Sequence, residues 1–494
     1  MKNLDFTEYS ILEYHAALRR GAVTAEELTM WYIKRIEELN EKGPELRAVV
    51  TINPDAVSQA RDADAYFAKT GQFIGSLHGV PILVKDQVET AGLRTTRGSR
   101  LYKDDIPKED ATIITKLKTA GAIVHAKTAM NDFATGYSSH STMTCETKNP
   151  YCLDRDPGGS SAGTGAGVAA NLGLVGIGED TGGSVRVPAS FNNLFGLRVT
   201  TGLISRFRSQ GLVPTQDTLG PMARNVTDLT MLLDVITGYD PADPVTEMAK
   251  GSQHVGNFVQ LLCNLPTWST LKVGVLESAF IPGSHPEDED VITLVRAAID
   301  LIKRQNANVV EGLEIKDMLE WFAKTSLYQW VSRKTLEDFF ASHGSPVADY
   351  DEFIEKKLHN PVLSTFDAIK DGSNDPDNDP NYATAILRQR EFREIVLNLM
   401  AENDVDLLLF PTVRELPPKL DDCRDFFDVL QFPTNTSIGS QAVLPAISVP
   451  VGFTSDGIPV GMEVVARPLR EDRLIQFAAL WEKLKSPRRA PVIE

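Results

Sequence analysis

Cysteine is scarce in this chain: 494 residues hold four, Cys145, Cys152, Cys263 and Cys423, with no C-x-x-C pair among them. That is too few for a disulfide framework in a chain of this length, so a reducing cytoplasm is the expected location. Positive charge is also short. Fifty Lys and Arg against 67 Asp and Glu leave a formal charge of −17, which argues against a general nucleic-acid surface because phosphate contacts need clustered cations. No apolar run approaches bilayer length, and the first nine residues include Asp5 and Glu8 where a leader would be basic and then apolar. Neither secretion nor a membrane anchor is therefore expected. There is no internal repeat, and no Lys-Ser or Lys-Thr follows the first glycine cluster at phosphate-loop spacing. A dinucleotide fingerprint fails as well, since no acidic ribose partner can be distinguished. Small neutral molecules are the expected ligands, with no cofactor and no metal; the Asp- and Asn-rich stretch 371–381 reads as an exposed loop. A homodimer is compatible with the sequence.

What is present is an ordinary globular composition, 42% hydrophobic and 24% charged, enough for a large core. Apolar spacing predicts helices over 7–20 and, behind a Thr24-to-Glu27 capping box, over the residues that follow. An alanine-rich helix is expected over 56–68. The run Val80-Pro81-Ile82-Leu83-Val84 reads as a buried strand ending in Lys85 and Asp86. A helix over 112–120 leads to a strand over 122–126, where His125 is expected to be a satisfied structural histidine. Residues 161–172 read as a buried helix and 174–178 as the next strand. This helix-to-strand alternation indicates an α/β sheet. Residues 215–224 read as a polar Gly-Pro loop, 226–238 as a helix, 271–275 as a strand and 382–402 as a long helix. Strands are expected at 406–412, 444–452 and 463–466. The segment 311–380 is predicted to be helical, with scattered aromatics, and to supply a variable lid or pocket wall.

The most constrained stretch runs from Gly158 to Ser184. Ten glycines fall between positions 158 and 183, and each glycine cluster carries a serine: Gly158-Gly159-Ser160-Ser161-Ala162-Gly163 and Gly178-Glu179-Asp180-Thr181-Gly182-Gly183-Ser184. Glycine is wanted where backbone turns tightly or approaches a ligand closely. Consecutive amides from Thr181 to Ser184 could converge on a developing oxyanion beside an attacking hydroxyl, which points to acyl transfer by a serine nucleophile. Lys85 has two readings: a salt-bridge partner of Asp86, or a desolvated lysine able to accept a proton from a hydroxyl.

These two clusters, with Gly79-Val80-Pro81-Ile82-Leu83-Val84-Lys85-Asp86, resemble the amidase signature family of serine hydrolases from about Thr7 to Leu484. The resemblance implies a single α/β domain over 1–494, with a mixed, largely parallel central sheet surrounded by helices. It also implies a Ser-Ser-Lys triad. By position, Ser184 would be the nucleophile, Ser160 the relay hydroxyl beside a cis peptide bond, and Lys85 the ultimate base. Thr181, Gly182 and Gly183 would form the oxyanion hole; Asp180 and Arg186 would brace the loop, and Ser161 would support Ser160. Three departures stand out: Glu179 in place of threonine, Ala162 in place of glycine, and no asparagine within 436–443. None of them is expected to touch the triad. The implied activity is cleavage of a carboxamide, with aryl amides, esters or carbamates as further substrates. The alternatives are the glutaminase (A) subunit of a tRNA-dependent amidotransferase and an inactive scaffold of the same fold. Residues 131–141, 311–380 and those around Phe432–Gln441 are expected to line the pocket.

Overall fold

In the computed structural model, which describes residues 5–422 and 432–493, the chain builds one 11-stranded sheet among the described residues. The strands are β1 (Val49–Ile52), β2 (Pro81–Lys85), β3 (Ile123–Thr128), β4 (Val175–Asp180), β5 (Phe195–Arg198) and β6 (Thr218–Ala223). They continue with β7 (Lys272–Leu276), β8 (Asn308–Leu313), β9 (Leu407–Pro411), β10 (Ala446–Phe453) and β11 (Pro459–Ala466). Their spatial order is β1-β3-β2-β4-β6-β5-β10-β11-β9-β7-β8.

The sheet is mixed, as expected, but its parallel share is smaller than the resemblance implies. Four pairings are parallel, β2 with β3 and β4, and β7 with β8 and β9. The other six are antiparallel. The reason is connection length: β10 and β11 are joined by the short stretch 454–458, which permits only a hairpin, whereas a parallel pair needs a long crossover.

Local signals set most of the helices. Thr24 and Glu27 close the capping box reciprocally, each side chain bonding the other's amide at 3.0 Å, and open the helix Ala25–Leu39. Ala56, Ala60 and Ala63 of the next helix, Ala56–Thr70, are buried against Ala25 and Ile33, the tight packing that small residues allow. Asp379 caps the helix Pro380–Glu402 through the amide of Asn381 at 2.8 Å, a structural use for an acidic loop residue. His125 is buried, its ring nitrogens 3.1 and 2.7 Å from the carbonyls of Ile82 and Leu172. Burial lowers its pKa to about 4 while the two carbonyls pull the other way, and the residue is structural, as read. No described helix is long and apolar enough to cross a membrane.

Residues 215–224 differ from the loop expected there, because Thr218–Ala223 is an internal strand between β4 and β5. Proline is disfavoured inside sheets, yet Pro221 is tolerated because the β5 ladder stops at Gly196 and Met222, leaving it paired on the β4 side alone. The helical segment begins later than expected, since β8 runs to Leu313. Its helices are Met318–Thr325, Tyr328–Ser342, Tyr350–Glu355 and Thr365–Lys370. Phe339, Phe340, Tyr350 and Phe353 form a second apolar cluster with Tyr102, Phe133 and Leu212, separate from the main core.

Burial predicts the cost of truncation. Ile82→Ala, in the fully buried β2, should lose about 2–5 kcal/mol by chemical denaturation. Leu387→Ala, at a side chain 66% exposed on the Pro380–Glu402 helix, should change stability by less than about 0.5 kcal/mol.

Candidate active site

Strands β2 and β4 are parallel neighbours, with Val84 opposite Ile177, so both bring their carboxyl ends to one place. Open α/β sheets bind ligands at such strand ends. Lys85, fully buried at the end of β2, donates from Nζ to Ser160 Oγ at 2.8 Å and to the Glu179 carbonyl at 3.3 Å. Its Nζ also lies 3.5 Å from Glu179 Oε2. Burial lowers the lysine from its ordinary value, and the Glu179 carboxylate pulls the other way.

Asp86 is not the partner of Lys85. Successive strand residues face opposite sides, and Asp86 instead accepts from the Thr96 amide at 2.9 Å and lies 3.9 Å from Lys127 Nζ.

The loop before the buried helix Ala162–Ala169 brings Ser160 to Lys85. The Gly158 amide bonds Asp156 Oδ1 at 2.7 Å, and the Gly159–Ser160 peptide is cis. A side chain on Gly159 would overlap the Ser138 carbonyl, so only glycine lets the two backbones approach this closely. Ser161 does not bond Ser160 directly. Its hydroxyl meets both the amide and the carbonyl of Glu179 at 3.2 Å, fastening the loop to β4.

The segment 181–184 is held from both ends. Asp180 accepts from Arg186 Nε and Nη2 at 3.0 Å, from Arg198 Nη1 at 2.9 Å and from the Val185 amide at 3.2 Å. Burial would raise this carboxyl, but the two guanidiniums outweigh it and hold it down to about 2. Arg186 also pairs with Glu463 of β11 and donates to the Thr436 carbonyl at 3.0 Å. The Gly182 carbonyl accepts from Thr436 Oγ1 at 2.7 Å and Ser440 Oγ at 3.2 Å. Gly183, at φ 152° and against Thr436, occupies backbone space that L side chains rarely enter. Ser184 follows at 4% exposure, while Ser160 and Lys85 have none.

Each of the three expected pocket segments reaches this loop. Tyr137 and Tyr328 place their hydroxyls against Gly182, Phe432 stacks on Tyr137 at 4.8 Å, and Thr436 and Ser440 bond Gly182. The sequence singled out none of these as site residues, because an isolated aromatic or hydroxyl in a loop carries no spacing signal. Arg198 and Asp217 were missed for the same reason; Asp217 Oδ1 takes the Thr181 hydroxyl at 2.6 Å. Glu179 corrects an expectation, for it touches Lys85. Register alone would not pair them, since Lys85 lies opposite Gly178; the contact is made where the Glu179 side chain, at the end of β4, bends back to within 3.5 Å of Lys85 Nζ.

A protein-family model, Amidase, matches residues 27–475. The A subunit of the glutamyl-tRNA(Gln) amidotransferase of Gloeothece citriformis is 32% identical over 96% of this chain and 97% of its own length. Among solved structures, native peptide amidase from Stenotrophomonas maltophilia aligns at a TM-score of 0.87 with 30% identity, covering 99% of each chain. The A subunit of the glutamyl-tRNA(Gln) amidotransferase from Thermotoga maritima aligns at 0.77 with 25% identity, covering 100% of each.

The Asp180 cluster yields a stability prediction. Asp180→Asn leaves two buried guanidiniums undercompensated and should cost about 3–5 kcal/mol, seen as a lower guanidinium midpoint at unchanged slope. A loss below about 1 kcal/mol would mean the cluster does not hold this region.

Proposed function

The chain belongs to the amidase signature family and is thus an amide C–N-cleaving enzyme; on that premise we propose that it works through an acyl-enzyme on Ser184. The observation that carries this reading is the buried 2.8 Å link from Lys85 Nζ to Ser160 Oγ, beside the glycine-rich segment that ends in Ser184. In the step proposed, Ser184 Oγ attacks the substrate carbonyl carbon while its proton passes to Ser160 Oγ. Ser160 gives its own proton to neutral Lys85 Nζ. The amides of Thr181, Gly182 and Gly183 take up the oxyanion, each important donor contributing roughly 3–4 kcal/mol by analogy with other hydrolases. Run in reverse, the relay protonates the departing nitrogen. Water then cleaves the ester and regenerates Ser184. Asp180 and Arg186 hold the 181–184 segment, Ser161 holds the Ser160 loop, and the whole chain acts as one catalytic unit in the cytoplasm.

Two acyl donors fit this chemistry. The sequence favours a stand-alone hydrolase of linear carboxamides, and the closer structural likeness to the Stenotrophomonas peptide amidase supports it. The reading as a glutaminase (A) subunit gains more: relatives at 29–32% identity over nearly full length are amidotransferase A subunits. The net charge of −17 does not oppose it, since a subunit that only releases ammonia needs no nucleic-acid surface of its own. We therefore place the glutaminase reading first and the stand-alone amidase second. No observation favours the inactive scaffold.

Ammonia release from glutamine, from C-terminal peptide amides and from simple carboxamides separates the two. Turnover of glutamine, raised by partner subunits, supports the first reading, and turnover of peptide amides without glutamine supports the second. Ser184→Ala should abolish turnover of either donor while leaving the melting temperature nearly unchanged; retained hydrolysis would remove Ser184 from the mechanism. Burial, opposed by Glu179, lowers Lys85 to about 8, and the base must be neutral to accept a proton. In the wild type kcat/KM should accordingly rise as pH increases through about 8 and decline below it, and a flat profile would contradict Lys85 as the base.

A further inference from the structure

Glu179 is a second buried ionisable group beside Lys85, at a position where the family resemblance implies a neutral threonine. Its Oε2 lies 3.5 Å from Lys85 Nζ and its Oε1 faces the Thr181 hydroxyl at 3.0 Å. That hydroxyl also meets Asp217 Oδ1 at 2.6 Å. A single hydroxyl proton serves one acceptor well at a time, so the two carboxylates compete for it. Asp217 has other donors, the amides of Leu212 and Val213 at 2.8 and 3.0 Å. Glu179 is left with Lys85 as its principal source of positive charge. Burial raises the Glu179 carboxyl, and Lys85 opposes that rise.

The surrounding charges do not substitute for it. Lys85 faces Glu179 and Asp180 from β4 and Asp217 from the residues before β6. Asp180 is taken up by Arg186 and Arg198, and Asp217 by backbone amides and Thr181. Glu179 further senses Arg198 and Arg206 and lies near Tyr328. Arg206 is itself held by Asp243 at 3.0 Å. Glu179 and Asp217 also line a cavity of about 270 Å³ with Arg206, Gln210, Asp243 and Thr335.

We propose that Glu179 is a positioning residue that fixes the charge state of Lys85 and thereby the pH at which the Ser184 relay runs. The inference rests on the relay reading above. While Glu179 is ionised it favours the ammonium form of Lys85, which cannot take the Ser160 proton; when the pair holds its shared proton on Glu179, Lys85 is a free base. A neutral side chain in this place removes the counter-charge, so the lysine gives up its proton at lower pH.

The test needs no knowledge of the substrate. A fluorophosphonate probe labels an activated serine by forming an O–P bond and expelling fluoride, and the rate is read by intact mass on the full chain at a series of pH values. Glu179→Gln should move the acid limb of the rate profile down by about one pH unit or more, the direction set by removing an opposite charge at this range. Glu179→Asp, which keeps the charge, should stay near the wild-type limb. An unmoved or upward-moved limb in Glu179→Gln, or the same downward movement in Glu179→Asp, would overturn the proposal. Ser184→Ala is labelled alongside: persistent labelling there would refute the nucleophile assignment itself, a failure distinguishable from an unmoved limb.

Discussion

A lysine side chain without exposure has to be neutral or fully partnered, and Lys85 is at that limit. The local structure around it follows from the requirement. Two parallel strands end together so that the lysine nitrogen meets the Glu179 carbonyl and carboxyl, and the Gly158–Ser161 loop is pressed against the Ser138 backbone so that a hydroxyl reaches the same nitrogen. An ion pair in a wet site would cost little to break. Here each partner is buried, so removing one leaves the other uncompensated, and the arrangement is held to a narrow geometry.

A second buried cluster carries that geometry across the sheet. Asp180 ends β4, Arg198 ends β5, Arg186 opens the short helix Arg186–Phe191 and Glu463 lies on β11, so one network spans the antiparallel middle of the sheet. Burial pushes the Glu463 carboxyl up to about 7, and Arg186 opposes that shift. The network fixes the carboxyl end of β4 while leaving the 181–184 backbone to be shaped by Thr436 and Ser440 from one side and Tyr137 and Tyr328 from others. Segments far apart in sequence thus meet at Gly182.

Much of this was legible in the sequence because periodicity and punctuation carry it. The buried run of β2, the Thr24 capping box, the alanine face of 56–70 and the glycine-serine clusters are all local signals, and each reappears as an element or a loop. What was not legible depends on pairing partners. Residues 218–223 looked like a turn because Gly220 and Pro221 are turn formers, and only the register against β4 and β5 shows why a strand tolerates them. Asp86 looked like the partner of Lys85 because it is adjacent in sequence, yet strand alternation sends it to Thr96 and Lys127. Glu179 was visible as a departure from the family pattern, but its contact with Lys85 depends on two strand ends meeting in space. Tyr137, Tyr328 and Arg198 carried no spacing signal at all.

A nucleophilic Ser184 implies that a covalent ester forms on it during turnover. Mixing the enzyme with an amide that releases ammonia, quenching in acid before a turnover is complete and mapping the digested protein by mass tests it directly. An acyl adduct confined to the peptide that contains Ser184, absent when hydrolysis is allowed to finish, is the expected result. An adduct on Ser160 or elsewhere, or steady ammonia release with no adduct at any quench time, would contradict it.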